Sequence, residues 1–495
     1  MNNIEYSRDV LARAERETDG WKMTIGGQFS DSVSRKRFAN HNPADQEHLA
    51  DVPFAESADV ERAIDAAKKA FPAWKKLHAD ERAKMMKSLA EAVRQRAEDL
   101  GMLDAMDCGN PYRSMVDDAK KGAALLEHFS NLGMEIKGET IPTPGGGLNY
   151  TRREPFGVLA RILPFNHPIS FAAGKIASAL IAGNTVVMKL ADQTPLSGLL
   201  LGKLVQEHLP PGVVNILTGD GPNCGGSLVA HPDIHRVAFT GSVETGKRII
   251  QAAGIANVSL ELGGKNPLII MSDVDVDAAA DAAVASMNFT LCQGQSCGSN
   301  SRVFVHHSLH DAFVASVKQR VEKIVMGRPE LDETQMGPVV SQQHYKRVMG
   351  YIESGKNQGA TLVTGGKHPA GDTFKKGNYI EPTVFTDVRH DMKIAQEEIF
   401  GPVMSVLPWS DEVAMMRQVN DVEYGLCANI WTNDISTALR LADDVESGYV
   451  WINGYGGKRF KGAPFGGFKN SGIGKEHSTE EMLSFTHEKN INVRY

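Results

Sequence analysis

From residue 157 onward, short apolar runs of strand length alternate with longer runs of helical period. The strand-like runs cover 157–163, 185–189, 213–217, 236–239 and 258–261, and the helical ones 171–182, 196–208 and 244–253. Alternation of this kind with short connections predicts parallel strands joined by right-handed crossovers, with helices on both faces of the sheet. Ligands of such sheets bind beyond the carboxyl ends of the strands. The residues at those ends are therefore of interest: Pro164, Phe165 and Asn166; Lys189 and Asp192; Gly241 and Ser242; Glu261, Gly263 and Gly264.

Before this region, periodic apolar positions predict amphipathic helices over 57–74 and 81–100, ended by turn signals at Cys108, Gly109 and Pro111. A triple glycine at 145–147, followed by 148–153, reads as a hairpin or projecting arm. After residue 267 a second alternating region begins, with a strand over 302–306 and a helix over 308–326. The tail, 482–495, has the weak alternation of an edge strand able to pair with another subunit. At 495 residues, the chain exceeds the usual size of one domain, so two or three are expected.

A formal net charge of -7 without a basic block disfavours nucleic acid and anionic membranes as partners. No apolar run reaches the roughly 18 residues that span a bilayer, and residues 1–17 lack the apolar core of a signal peptide. The five cysteines (108, 224, 292, 297, 427) form neither a disulfide framework nor a metal-ligand spacing. The expectation is a cytoplasmic globular protein without a bound metal.

Cys297 lies among small and polar residues just before the 302–306 strand, where a small molecule can approach its sulfur. Taken alone it reads more readily as a structural cysteine, and Cys292 competes as nucleophile. Gly241, Ser242 and Gly246 form a strand–turn–helix junction that offers N–H groups to a pyrophosphate, although the glycine spacing is not that of G-x-G-x-x-G and the run reads equally as an ordinary tight turn. Lys189 and Asp192 have the chemistry to hold ribose hydroxyls, and an acidic group there disfavours a 2′-phosphate.

Several further motifs occur in order: Pro164 to Pro168, Gly183 to Lys189, Phe239 to Ser242, Leu260 to Lys265, Gly294 to Cys297, Glu398 to Pro402 and Pro464 to Gly467. Together they resemble the aldehyde dehydrogenase superfamily over nearly the whole chain. The resemblance implies an α/β fold: a Rossmann-like cofactor domain (1–138 and 155–263), an α/β catalytic domain (264–475) and a small β oligomerisation arm (139–154 and 476–495). It implies Cys297 as nucleophile, Asn166 and the Cys297 N–H as oxyanion donors, and Glu261 as the base that activates water. Cofactor contacts would come from Lys189, Asp192, Gly241, Ser242, Gly263, Glu398 and Phe400, with NAD as the cofactor and NADP left open. The implied partners are a small-molecule aldehyde and further copies of the chain, as a homodimer or homotetramer.

Family members that release an acyl-CoA lack the glutamate base, so Glu261 favours a free carboxylic acid as product. A CoA-acylating semialdehyde dehydrogenase and a non-catalytic scaffold remain the alternatives. Three departures bear on substrate and cofactor. Phe165 and Asp192 stand where many members have Trp and Glu. His167 and Gly174 replace larger apolar or aromatic groups, which predicts a wider tunnel for a bulky, aromatic or polar aldehyde. Lys458, Arg459 and Lys461 add a cationic loop that the resemblance puts at the tunnel mouth; it reads first as a solvated charge cluster or subunit contact, and alternatively as a site for an anionic aldehyde.

Overall fold

The computed structural model describes residues 2–454 and 459–495. Its first large sheet has five parallel strands: β1 (Val158–Ile162), β2 (Thr185–Lys189), β3 (Val214–Leu217), β4 (Arg236–Thr240) and β5 (Asn257–Glu261). They lie in the order β3-β2-β1-β4-β5. A hairpin of Met23–Ile25 and Gln28–Ser30 extends the β3 edge, and Gly472–Ile473 pairs antiparallel with β5. Strand order reverses between β1 and β4, the kind of switch point at which nucleotides bind in open α/β sheets.

The apolar runs are continuous because both faces of this sheet are covered. Val158, Ala160 and Ile162 point into one core with Val237 and Phe239, whereas Leu159 packs into the opposite core with Val186, Met188 and Ala238. Register aligns the carboxyl ends: Ile162 opposes Lys189, Lys189 opposes Leu217, and Thr240 opposes Glu261.

A second sheet contains β6 (Pro267–Ile270), β7 (Arg302–His306), β8 (Thr383–Thr386), β9 (Val403–Trp409), β10 (Cys427–Trp431) and β11 (Tyr449–Ile452). These six are parallel in the order β8-β9-β7-β6-β10-β11, and Thr361–Thr364 pairs antiparallel with β8. Only residues 262–266 separate the end of β5 from the start of β6, so the carboxyl edge of the first sheet meets the amino edge of the second. A third sheet joins Thr140–Ile141 and Leu148–Pro155 to Thr486–Val493.

Several helical expectations change. Residues 81–100 form two helices, Ala79–Gln95 and Ala97–Cys108, broken at Arg96, whose guanidinium is drawn to Glu17 and Asp99. The expected helix over 171–182 splits into Pro168–Gly174 and Ala177–Ile181. At the break, the Lys175 carbonyl accepts the Nε–H of buried Arg161 at 2.9 Å. The helix predicted over 308–326 is the shorter His310–Val321. The charged N-terminal stretch is a helix, Asn3–Glu17, held by an Asn2–Glu5 capping box and anchored by buried Val10 and Ala14. No helix among the described residues is long and apolar enough to cross a membrane.

Candidate active site

The junction between the two sheets gathers the predicted catalytic residues. Glu261 ends β5 and is buried, with its Oε1 lacking any hydrogen-bond partner. Burial and the neighbouring Glu476 carboxylate push its acid well above the usual range, against the pull of Lys175, Arg459 and Lys475. Gly466 leaves room for this carboxylate, since a Cβ there would stand 2.9 Å from Glu261 Oε1. A buried carboxyl with an unpartnered oxygen and a raised acid has the properties expected of a general base.

Cys297 occupies the turn ahead of β7. It is half-buried, whereas the other four cysteines are fully buried, and all five are free thiols. Burial pushes the Cys297 thiol up to about 11, while the Arg459 and Lys175 cations oppose that rise. Burial also drives Cys292 far above an ordinary thiol and Cys427 up to about 12. The Cys297 turn is pinned by Asn266, which donates through Nδ2 to Cys297 O at 2.7 Å and to Ser299 O at 2.9 Å.

Asn166 follows β1 and is buried. Its Nδ2 donates to Gln295 O at 2.8 Å, and its own carbonyl accepts from Asn110 Nδ2 at 2.8 Å. One amide hydrogen therefore orients the side chain toward the Cys297 turn and leaves the second for an oxyanion. The Cys297 N–H has no acceptor among the described residues. Two donors beside a thiol form an arrangement able to stabilise a tetrahedral adduct.

The predicted cofactor residues surround the same junction. Glu398 Oε1 accepts the Gly264 N–H at 2.9 Å, and a Cβ at Gly263 would stand 2.3 Å from Glu398 Oε2. Burial raises the Glu398 acid to about 7. Phe400, at φ 59°, stacks edge-on with Phe165 at 5.6 Å, and its carbonyl accepts from His344 at 2.6 Å. Lys189 is buried at the end of β2, and Asp192 is half-buried in the turn beyond.

Gly241 gives its N–H to Glu261 O at 3.0 Å. Ser242 is the N-cap of a ten-residue helix, α1 (Val243–Ala252), and its Oγ accepts from Thr245 N at 3.3 Å. Ser242 thus shapes a helix terminus whose first N–H groups stay free. Gly246 brings α1 close to the chain after β5, because Leu262 stands 2.9 Å from where a Cβ would be. A pyrophosphate at this terminus and ribose hydroxyls at Glu398 match the donors and acceptors present.

Sequence reading missed several supporting groups. His344 and Arg347 lie on a helix of ordinary amphipathic pattern, yet Arg347 donates to Glu398 O at 2.9 Å. Lys175 Nζ contacts Thr240 Oγ1 and Glu476 Oε2, each at 2.8 Å. Only Asn266 had a local signal, as the residue directly after the Leu260 to Lys265 motif.

The two positions expected to widen the tunnel, Gly174 and His167, both have close neighbours. The space beside Gly174 is filled by Leu125, whose Cδ1 lies 2.8 Å from an ideal Cβ there. His167 is engaged with Asp118 through Nδ1 and keeps part of its side chain exposed. In the cationic loop, Arg459 stacks over Phe465 at 3.5 Å from the ring centroid, and one of its terminal nitrogens stands 3.2 Å from a Cβ built on Gly298. Lys461 is exposed, and Lys458 lies outside the described residues. Among the described residues, no cluster of His, Cys, Asp and Glu is arranged to hold a metal.

A Rossmann-like sheet abutting a second parallel sheet, with a thiol at their junction, defines the class as α/β proteins of the nucleotide-binding kind. Comparison with known proteins narrows it. The aldehyde dehydrogenase family model matches residues 29–491. The aldehyde dehydrogenase tropH of Talaromyces stipitatus is 43% identical over 478 residues, covering 94% of this chain and 92% of the relative. The NAD+ complex of an aldehyde dehydrogenase from Bacillus cereus superposes with a TM-score of 0.93 at 39% identity, covering 97% of this chain and 98% of that one. The betaine aldehyde dehydrogenase of Staphylococcus aureus, also in complex with NAD+, gives 0.94 at 34% identity, covering 98% and 97%. The chain belongs to the aldehyde dehydrogenase family.

Proposed function

We propose that this enzyme oxidises an anionic aldehyde to the free carboxylic acid with NAD, using Cys297 as nucleophile. The observation that carries this reading is the meeting of a half-buried thiol with an unpartnered, buried Glu261 carboxyl and the Asn166 amide. The Cys297 thiolate adds to the aldehyde carbon, and the resulting oxyanion is held by Asn166 Nδ2 and the Cys297 N–H. Bound NAD supplies the hydride acceptor. Glu261 then takes a proton from water, which attacks the Cys297 thioester and releases the acid and the thiol. The α1 terminus with Gly241 and Ser242 holds the pyrophosphate, Lys189 and Asp192 the adenine ribose, and Glu398, Gly263 and Phe400 the nicotinamide end.

Arg459 supports an anionic substrate. Its guanidinium rests on Phe465 beside the Cys297–Gly298 turn and makes no ion pair among the described residues, so its charge is available to a carboxylate. In this reading, residues 1–138 and 155–263 bind cofactor, 264–475 carry the nucleophile, and 139–154 with 476–495 form the subunit arm. Exposed Ile141, Leu148 and Val493 on the arm sheet support assembly into a homodimer or homotetramer. Free thiols throughout suit the cytoplasm.

The test is NADH formation without CoA from paired aldehydes, benzaldehyde against 4-carboxybenzaldehyde and butyraldehyde against succinic semialdehyde. Preference for the anionic members, with KM for them rising about tenfold or more in Arg459→Ala, is expected. Equal KM values in that variant for every anionic aldehyde would remove Arg459 from the account. Turnover only with CoA would favour the acylating reading.

A further inference from the structure

One helix, α2 (Tyr112–Ser130), packs along the short helix Pro168–Gly174. Gly122 permits the close approach, since a Cβ there would stand 3.1 Å from Ala173 Cβ and 3.2 Å from Ile169 O. One turn before Gly122, Asp118 is buried and reaches out of α2 to His167, with Asp118 Oδ2 2.5 Å from His167 Nδ1. Its second oxygen accepts from Lys121 Nζ at 2.9 Å. Burial alone would raise the Asp118 acid, but the imidazole and the ammonium outweigh it and hold the group below the usual carboxylate range. Asp118 is therefore an acceptor, and it fixes the proton of His167 on Nδ1.

The other ring nitrogen, Nε2, has no hydrogen-bond partner among the described residues, and the His167 side chain keeps 15% of its surface exposed. His167 directly follows Asn166, whose amide is bound to the strand of backbone leading into Cys297. Phe171 stands edge-on to the imidazole at 5.6 Å, so the ring has an aromatic neighbour. An ionised carboxylate offers only acceptors, so it cannot bond a neutral Nε2, which is itself an acceptor. A hydroxyl can donate to a neutral Nε2 or accept from a protonated one, so it fits the site in either state.

We propose that Asp118 and His167 form a specificity site for a hydroxyl group carried on an aromatic aldehyde, separate from Arg459. This rests on the reading of Cys297 as the reacting thiol. Asp118 is a positioning residue, and His167 touches the substrate.

The experiment measures KM and kcat for benzaldehyde and its three hydroxylated isomers in the wild type, His167→Phe and Asp118→Asn. In parallel, calorimetry measures binding of benzoate and the matching hydroxybenzoates to the same proteins, with thermal melting to verify folding. The expected result is that at least one hydroxylated isomer has the lower KM in the wild type, and that this preference falls about ten- to hundredfold in both variants. The calorimetric preference for the hydroxybenzoate should disappear in both variants, with benzaldehyde and benzoate measured on each protein as its own reference. Wild-type KM values and acid affinities that ignore the hydroxyl, or a preference that survives His167→Phe, would overturn the proposal. If no aldehyde is oxidised, the reading of Cys297 fails, while the calorimetric comparison still decides the hydroxyl site. Should Asp118→Asn unfold, His167→Phe alone decides.

Discussion

Gly264 donates its N–H to Glu398 Oε1 at 2.9 Å and presses so closely on Cys297 that a Cβ would stand 2.4 Å from the cysteine carbonyl. One residue thus couples the proposed cofactor carboxylate to the position of the nucleophile. Neither contact tolerates a side chain, because Asn266 closes the remaining space at 2.8 Å. Gly264→Ala should therefore displace the Cys297 turn. A displacement of about 1 Å predicts a fall in kcat of about a hundredfold. Steady-state NADH formation and the alkylation rate of Cys297 check this, and unchanged values for both would show that the turn moves freely.

Filling the position of Gly174 should destabilise the fold rather than narrow an open tunnel. Leu125 already occupies the space, so Gly174→Trp forces two helices apart, at a cost of about 1–3 kcal/mol for overpacking. Thermal melting of the variant should show a lower Tm. A Tm equal to the wild type, with KM rising for bulky aldehydes, would restore the simple picture of an open tunnel.

The acid limb of stability should depend on two half-buried histidines. Burial pushes His344 down to about 4, against the Phe400 carbonyl that favours its protonation. His477 is also held at about 4, by burial first, with Glu476 pulling the other way. Unfolded, both return toward 6.5, so between these limits the unfolded chain binds protons that the native chain does not. Their contribution to stability is complete above about pH 6.5 and is lost as pH falls through about 4. Glu398, raised to about 7 chiefly by burial, has the opposite sign: its contribution is present below about pH 4.5 and fades as pH rises through 7. His344→Phe should flatten the fall of Tm between pH 6.5 and 4. An unchanged slope would mean that His344 titrates normally in the native state.

Much of the first sheet was legible because its strands are buried on both faces and read as continuous apolar runs. Cys297, Glu261, Asn166 and Glu398 stood out because each lies in a short run of unusual composition at a strand end or turn. What the sequence hid depends on approach between distant segments. The Asp118–His167 pair exists because Gly122 lets two helices close on each other, and the filling of the Gly174 space depends on Leu125, 49 positions earlier in the chain. The break at Lys175 was equally invisible. Its sequence suits a continuous helix, and the interruption coincides with contacts to Arg161, Thr240 and Glu476. The N-terminal helix was missed because its buried stripe is narrow, with Val10 and Ala14 its main apolar anchors.

The central claim, a thioester on Cys297 that Glu261 resolves, is tested most directly by intact and peptide mass spectrometry of Glu261→Gln mixed with NAD and an aldehyde. Without the base, NADH should appear in a burst of about one equivalent per active thiol, followed by turnover slowed by about 10² to 10⁴. The acyl group should remain on the peptide containing Cys297 and be absent from Cys297→Ala. An acyl group on Cys292 or another residue, or full turnover of Glu261→Gln with no adduct, would contradict the account.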